Sequence, residues 1–88
     1  MTRYAFISDC GASGLPQVLV VRDTREEIVA AALTVYNRRY GPEREHSISP
    51  DEDWSLWIDD EGRGEFERLG NVQSREEIEC FFERGAEV

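Results

Sequence analysis

The sequence predicts an α+β fold: a tandem ββα-ββα chain closing into a four-stranded, mostly antiparallel sheet with both helices on one face. Three observations predict it. Two capping boxes, Thr24-Arg25-Glu26-Glu27 and Ser74-Arg75-Glu76-Glu77, each open an apolar-periodic run. Two strand-like segments precede each box. The halves also align at a constant offset of 50 without a gap, matching Thr24–Ile28 to Ser74–Ile78, Tyr4 to Trp54, Phe6 to Leu56 and Asp9 to Asp59. A lone hairpin plus helix buries too little to be stable, so two such units are what the architecture needs.

Arg3–Asp9 is rich in aromatic and β-branched residues and reads as a strand. Cys10–Pro16, with two glycines and a proline, reads as a loop. Gln17–Arg22 reads as a second strand, and its unbroken apolar run predicts a central position or cover on both faces. The helix opened by Thr24 carries Ile28, Val29, Ala32, Leu33, Val35, Tyr36 and Tyr40 on one broad face. Arg38 and Arg39 complement its dipole, and Gly41-Pro42 stops it. In the capping box the Thr24 oxygen takes the Glu27 amide, and Glu27 reaches back to the Thr24 amide.

After the polar segment 43–50 comes a third strand, Trp54–Ile58, with Trp54, Leu56 and Ile58 on one face and Ser55 and Trp57 on the other. Asp59–Gly64 forms a turn, with two glycines available for positive φ. Glu65–Leu69 is the fourth strand, Phe66 pointing inward. Leu69 falls out of phase with Phe66, which predicts a bulge or an early strand end. The second helix buries Ile78, Phe81 and Phe82 and stops at Gly85. The 88 residues make one domain, with a pseudo-repeat of 1–41 and 51–85.

The charge is lopsided. Residues 1–50 carry six acids and six arginines and are neutral; residues 51–88 carry thirteen acids against four arginines, so the whole net charge of −9 sits on the second half. Hydrophobic content of 40% and charged content of 33% mark a globular chain rather than a disordered one. No apolar run approaches the ~20 residues that span a bilayer, and no basic segment followed by a long apolar one opens the chain. A cytoplasmic protein without membrane contact is expected. All ten basic residues are arginine.

Motifs for chemistry fall short. Gly11-Ala12-Ser13-Gly14 misses the nucleophile elbow because Leu15 stands where the second glycine belongs, and it lacks the lysine of a phosphate loop. Cys10 and Cys80 read as two unlinked thiols, and with a single histidine, His46, they make a poor zinc set. Cys10 with His46 as nucleophile and base rests on one residue of each type. The EF-hand register fails at both placements, since Gly62 as sixth position puts Trp57 first and Gly64 puts Gly70 twelfth. A divalent site near Asp59, Asp60 and Glu61 is the remaining metal reading. No enzyme and no cofactor is expected. Direct nucleic-acid binding is disfavoured, because phosphate needs basic partners and this chain has the opposite sign.

The acids are left as a surface. The bland alternative is a solvated face that keeps the protein soluble. The sharper reading is a face that binds a basic groove, carried by Asp51, Glu52, Asp53, Asp59, Asp60, Glu61, Glu65 and Glu67, with Trp57 as anchor. Trp54 and Trp57, three apart on a strand, cannot both face the core. Reversal of Asp59, Asp60 and Glu61 is expected to remove binding and leave the fold intact. In size and in these acids the chain resembles the small inhibitors that phages and mobile elements make against bacterial defence nucleases, the anti-CRISPR and anti-restriction proteins. The resemblance implies a DNA-mimicking inhibitor in a bacterial host's cytoplasm, its partner a CRISPR effector or other nuclease with a basic nucleic-acid-binding groove. An immunity protein or antitoxin against a nuclease, or a small divalent-metal-binding protein, is the alternative; the oligomeric state is open.

Overall fold

A computed structural model describes residues 1–9, 17–41 and 48–85. Cys10, His46 and the Gly11–Gly14 loop therefore lie outside the described residues. The element order is β1 (Arg3–Asp9), β2 (Val18–Arg22), α1 (Arg25–Tyr40), β3 (Asp53–Asp59), β4 (Glu67–Asn71) and α2 (Arg75–Gly85). This is ββα twice, and all four strands join one antiparallel sheet in the order β2-β1-β3-β4.

The central pairing shows how the halves relate. Phe6 pairs with Leu56, its own counterpart fifty positions on, while Tyr4 pairs with Ile58 and Ser8 with Trp54. A pseudo-two-fold axis therefore passes between Phe6 and Leu56, with β2 and β4 as equivalent outer strands. The register Ala5↔Val21, Phe6↔Val20 recurs as Ser55↔Asn71, Leu56↔Gly70. The repeat then breaks at a bulge, where Trp57 meets Arg68 and Leu69 is left over.

Both helices cover the face that carries Tyr4, Phe6, Trp54 and Leu56. Ile28, Ala32 and Tyr36 of α1 and Ile78 of α2 are buried with these side chains, as are Ile48 and Val72. Aromatic rings dominate the contact: Phe6 meets Trp54 edge-on at 5.6 Å, Tyr36 meets Trp54 at 6.2 Å and Tyr4 meets Phe82 at 5.3 Å. Phe81 and Phe82 are only partly buried against this cluster.

Three expectations are corrected. Gln17–Arg22 is not central or covered on both faces: β2 is an outer strand, with Leu19 64% and Val21 38% exposed. Its even-numbered Val20 packs on the core while its odd-numbered residues face away, so the apolar run reflects one face under the helices and one that, among the described residues, is left uncovered. The fourth strand starts at Glu67 rather than Glu65, because the turn after Asp59 runs longer and takes Phe66 with it. In the first capping box the Glu27 amide donates to Thr24 Oγ1 as expected, but the Thr24 hydroxyl itself donates to Glu27 Oε1. At the second helix the Glu77 amide donates to Ser74 Oγ at 3.2 Å.

Candidate protein-binding surface

The β3–β4 turn presents the densest group of acids, and Asp59 builds it. Asp59 is 2% exposed. Its Oδ1 accepts from the Arg63 amide at 3.1 Å and its Oδ2 from the Gly64 amide at 2.8 Å. Burial works to raise its pKa, but the backbone N–H groups of Gly64, Arg63 and Gly62 and the Arg3 guanidinium outweigh it. The carboxyl is held below its ordinary range. Gly62 and Gly64 supply the positive φ the turn needs, +69° and +84°. Gly62 also has no room for a side chain, since a Cβ there would lie 2.6 Å from the Met1 carbonyl oxygen. Thr2 Oγ1 donates to the Asp60 carbonyl oxygen from the same side. The turn is thus fixed from within by one carboxylate and from outside by the first two residues.

On this frame Asp60, Glu61, Glu65 and Glu67 are all exposed. With Asp59, Arg63 and Phe66 they rim a recess of about 490 Å³. Arg63 pairs with Glu61 at 2.6 Å, both side chains well exposed, so it offsets one charge and stabilises little.

The acids before β3 behave differently. Asp51 is exposed. Glu52 is taken up by the fold, with 2% of its side chain exposed. Its Oε2 accepts from the Tyr40 hydroxyl at 2.5 Å and from Arg39 at 3.3 Å, and its Oε1 from Trp54 Nε1 at 3.1 Å. Tyr40 in turn accepts from the Ser49 amide, and burial together with Glu52 raises its pKa. Glu52 therefore ties the segment before β3 to the end of α1. Asp53 is exposed on the uncovered face of the sheet, accepting from Arg68 and from Asn71 Nδ2, both at 3.1 Å.

Trp54 and Trp57 separate as strand alternation requires. Trp54 is 1% exposed in the core, whereas Trp57 lies half-buried on the uncovered face and donates from Nε1 to Ser55 Oγ at 2.9 Å. Asp51–Asp53 and the turn acids occupy opposite ends of β3, about 20 Å apart for seven residues of strand. Trp57 stands between them. The nine sequence-predicted residues are thus two acidic ends bridged by one indole, with Glu52 and Asp59 committed to internal contacts. The expectation that Asp59 can be reversed with the fold intact is corrected, since an arginine there would face amide donors in a buried position.

Sequence reasoning missed Leu19 and Val21, which extend the uncovered face beside Ile7 and Ala5. Their odd-numbered positions were the available signal, masked by the apolar even-numbered neighbours. Among the described residues no three Asp, Glu, His or Cys side chains gather closely enough to hold a metal ion, and no helix is long and apolar enough to cross a membrane. No family model, no curated protein and no solved structure matches the chain.

Proposed function

We propose that this protein is an inhibitor of the anti-CRISPR or anti-restriction type, binding a basic nucleic-acid-binding surface of another protein and competing with DNA or RNA there. One observation carries the reading: Asp60, Glu61 and Glu65 project from a turn that Asp59 fixes at the Arg63 and Gly64 amides, and Glu67 opens the strand that follows it. Fixed carboxylates present negative charge without the ordering cost of a disordered acidic tail. Such charge mainly steers encounter and selects partners. Lasting contact needs desolvated apolar area, which Trp57 supplies on the adjoining face. Asp51 and Asp53 extend the acidic rim at the other end of β3; Glu52 and Asp59 act by shaping it.

Capture from bacterial lysate tests this, with the wild type beside an Asp60→Arg/Glu61→Arg/Glu65→Arg variant at low and high salt. The expected result is a nucleic-acid-binding protein retained by the wild type at low salt, released at high salt, missed by the variant and displaced by added DNA or RNA. Equal retention by the variant, or indifference to salt and nucleic acid, overturns the proposal.

A further inference from the structure

The two outer strands of the sheet are related by the pseudo-two-fold axis, yet only one is protected against pairing. β4 carries a bulge at Leu69, the charges of Glu67 and Arg68, and Gly70. These are the devices that keep a sheet edge from accepting another strand. β2 has neither bulge nor glycine, and its one charge, Arg22, stands at its end. Its register runs unbroken from Val18↔Ser8 to Arg22↔Tyr4, and its first four residues are Val-Leu-Val-Val. Among the described elements it pairs with β1 alone, and α1 packs on one of its faces. The other face leaves Leu19 and Val21 exposed.

We propose that the outer edge of β2 pairs antiparallel with β2 of a second copy, forming a continuous eight-stranded sheet about a two-fold axis. Charge selects this occupant. Residues 1–50 sum to zero and residues 51–88 hold the −9. Pairing through β2 gives the order β4-β3-β1-β2-β2-β1-β3-β4, with the neutral halves innermost. Five interstrand steps of ~4.8 Å put the two acidic β3 strands about 24 Å apart, three times the ~8 Å screening length at physiological salt, with the acidic turns alongside them. The edge itself is aliphatic but for Arg22 at its end, so it offers little charge with which to select an unlike partner.

Pairing about Val20 would set Leu19 of one copy opposite Val21 of the other. It would also join the two uncovered faces into one apolar strip and keep all four helices on the opposite face. Five residues of strand form an interface at the low end of the range, below about 1,200 Å², so a reversible monomer–dimer equilibrium is expected rather than a permanent dimer. The acidic turn stays at the outer ends, so this inference stands apart from the proposed function.

Sedimentation velocity of the purified chain over a wide concentration range tests it. Expected is a sedimentation coefficient that climbs from monomer towards dimer, with association strengthened by salt as residual repulsion is screened. That sign is opposite to the one expected for binding a basic partner, so the two proposals fail separately. Leu19→Lys/Val21→Lys should remain monomeric throughout with an unchanged melting midpoint, while Leu69→Lys on the opposite edge should dimerise like the wild type. Should the double variant melt early, Leu19→Lys alone, at the more exposed position, gives the same reading. A wild type that stays monomeric at the highest concentration overturns the proposal, as does a dimer indifferent to the lysines.

Discussion

Arg25 and Arg75 hold the same position in the two halves of the chain, and each lays its guanidinium over an aromatic ring of the opposite helix. Arg25 sits 5.5 Å above Phe82, and Arg75 sits 5.8 Å above Tyr36. The first turn of each helix therefore meets the latter part of the other, and the helices run antiparallel across the sheet. Arg25 also donates from Nε to the Tyr4 hydroxyl at 3.2 Å. Removing either arginine by alanine substitution should cost about 1 kcal/mol. The two losses should add, because Arg25 meets Phe82 and Tyr4 while Arg75 meets Tyr36. Urea melts of the two single variants and the double variant measure this.

Asp59→Asn should lower the melting midpoint by several degrees at neutral pH, since an amide satisfies the two donating N–H groups less well than a carboxylate does. The wild type should also carry a pH dependence that the variant lacks. The folded-state pKa of Asp59 lies below its ordinary value of 3.8, so its contribution is fully present above pH ~4. It fades as the pH falls below that point, where the unfolded chain takes up the proton first. Melting curves of both proteins between acid and neutral pH should converge at the acid end.

Glu52→Ala should destabilise the fold by about 3 kcal/mol, because Trp54 Nε1 and the Tyr40 hydroxyl lose their acceptor in a largely buried place. Glu52→Gln keeps one acceptor oxygen and should cost less. Chemical denaturation of the three proteins orders them.

Gly62→Ala and Gly64→Ala separate crowding from backbone strain. Both positions have positive φ, but a Cβ at Gly64 meets nothing within 4 Å, whereas one at Gly62 meets the Met1 carbonyl oxygen. The expected loss is about 1 kcal/mol at Gly64 and about twice that at Gly62. Adding the Gly62 substitution to a chain whose first residues are displaced should reduce its cost to the Gly64 level.

The charge-reversed Asp60→Arg/Glu61→Arg/Glu65→Arg protein should fold like the wild type, as all three side chains are exposed. It should lose the salt-sensitive partner. Trp57→Ala should leave the association rate near that of the wild type and speed dissociation about tenfold or more. Surface plasmon resonance against the captured partner resolves the two rates.

The helices and the central strands were legible because their signals are local. Thr24 and Ser74 cap, Gly41 stops, and Tyr4, Phe6, Trp54 and Leu56 alternate. The offset between Thr24–Ile28 and Ser74–Ile78 also predicted the order of elements. What escaped was decided by distant parts of the chain. Nothing near Val18–Arg22 says that neither described helix covers one of its faces, and nothing near Glu52 says that Tyr40 and Trp54 will reach it. Asp59 looked like one acid among several because its partners are backbone amides, which no side-chain pattern reveals. The break in alternation at Leu69 pointed to a bulge or an early strand end; the structure has the bulge, the strand runs on to Asn71, and it begins two residues later than its composition suggests.

The pairing of Phe6 with Leu56 also governs how fast the chain can acquire its structure. Each hairpin and each helix forms between near neighbours, but β1 meets β3 only after about fifty residues close into a loop. That closure costs entropy before the pair returns any contact energy. The two halves should therefore order early and separately, and their docking along β1 and β3 should set the folding rate. Until that docking, each half exposes the inner strand that the other will cover, and the unfinished chain is at its most vulnerable to joining a neighbour instead of itself.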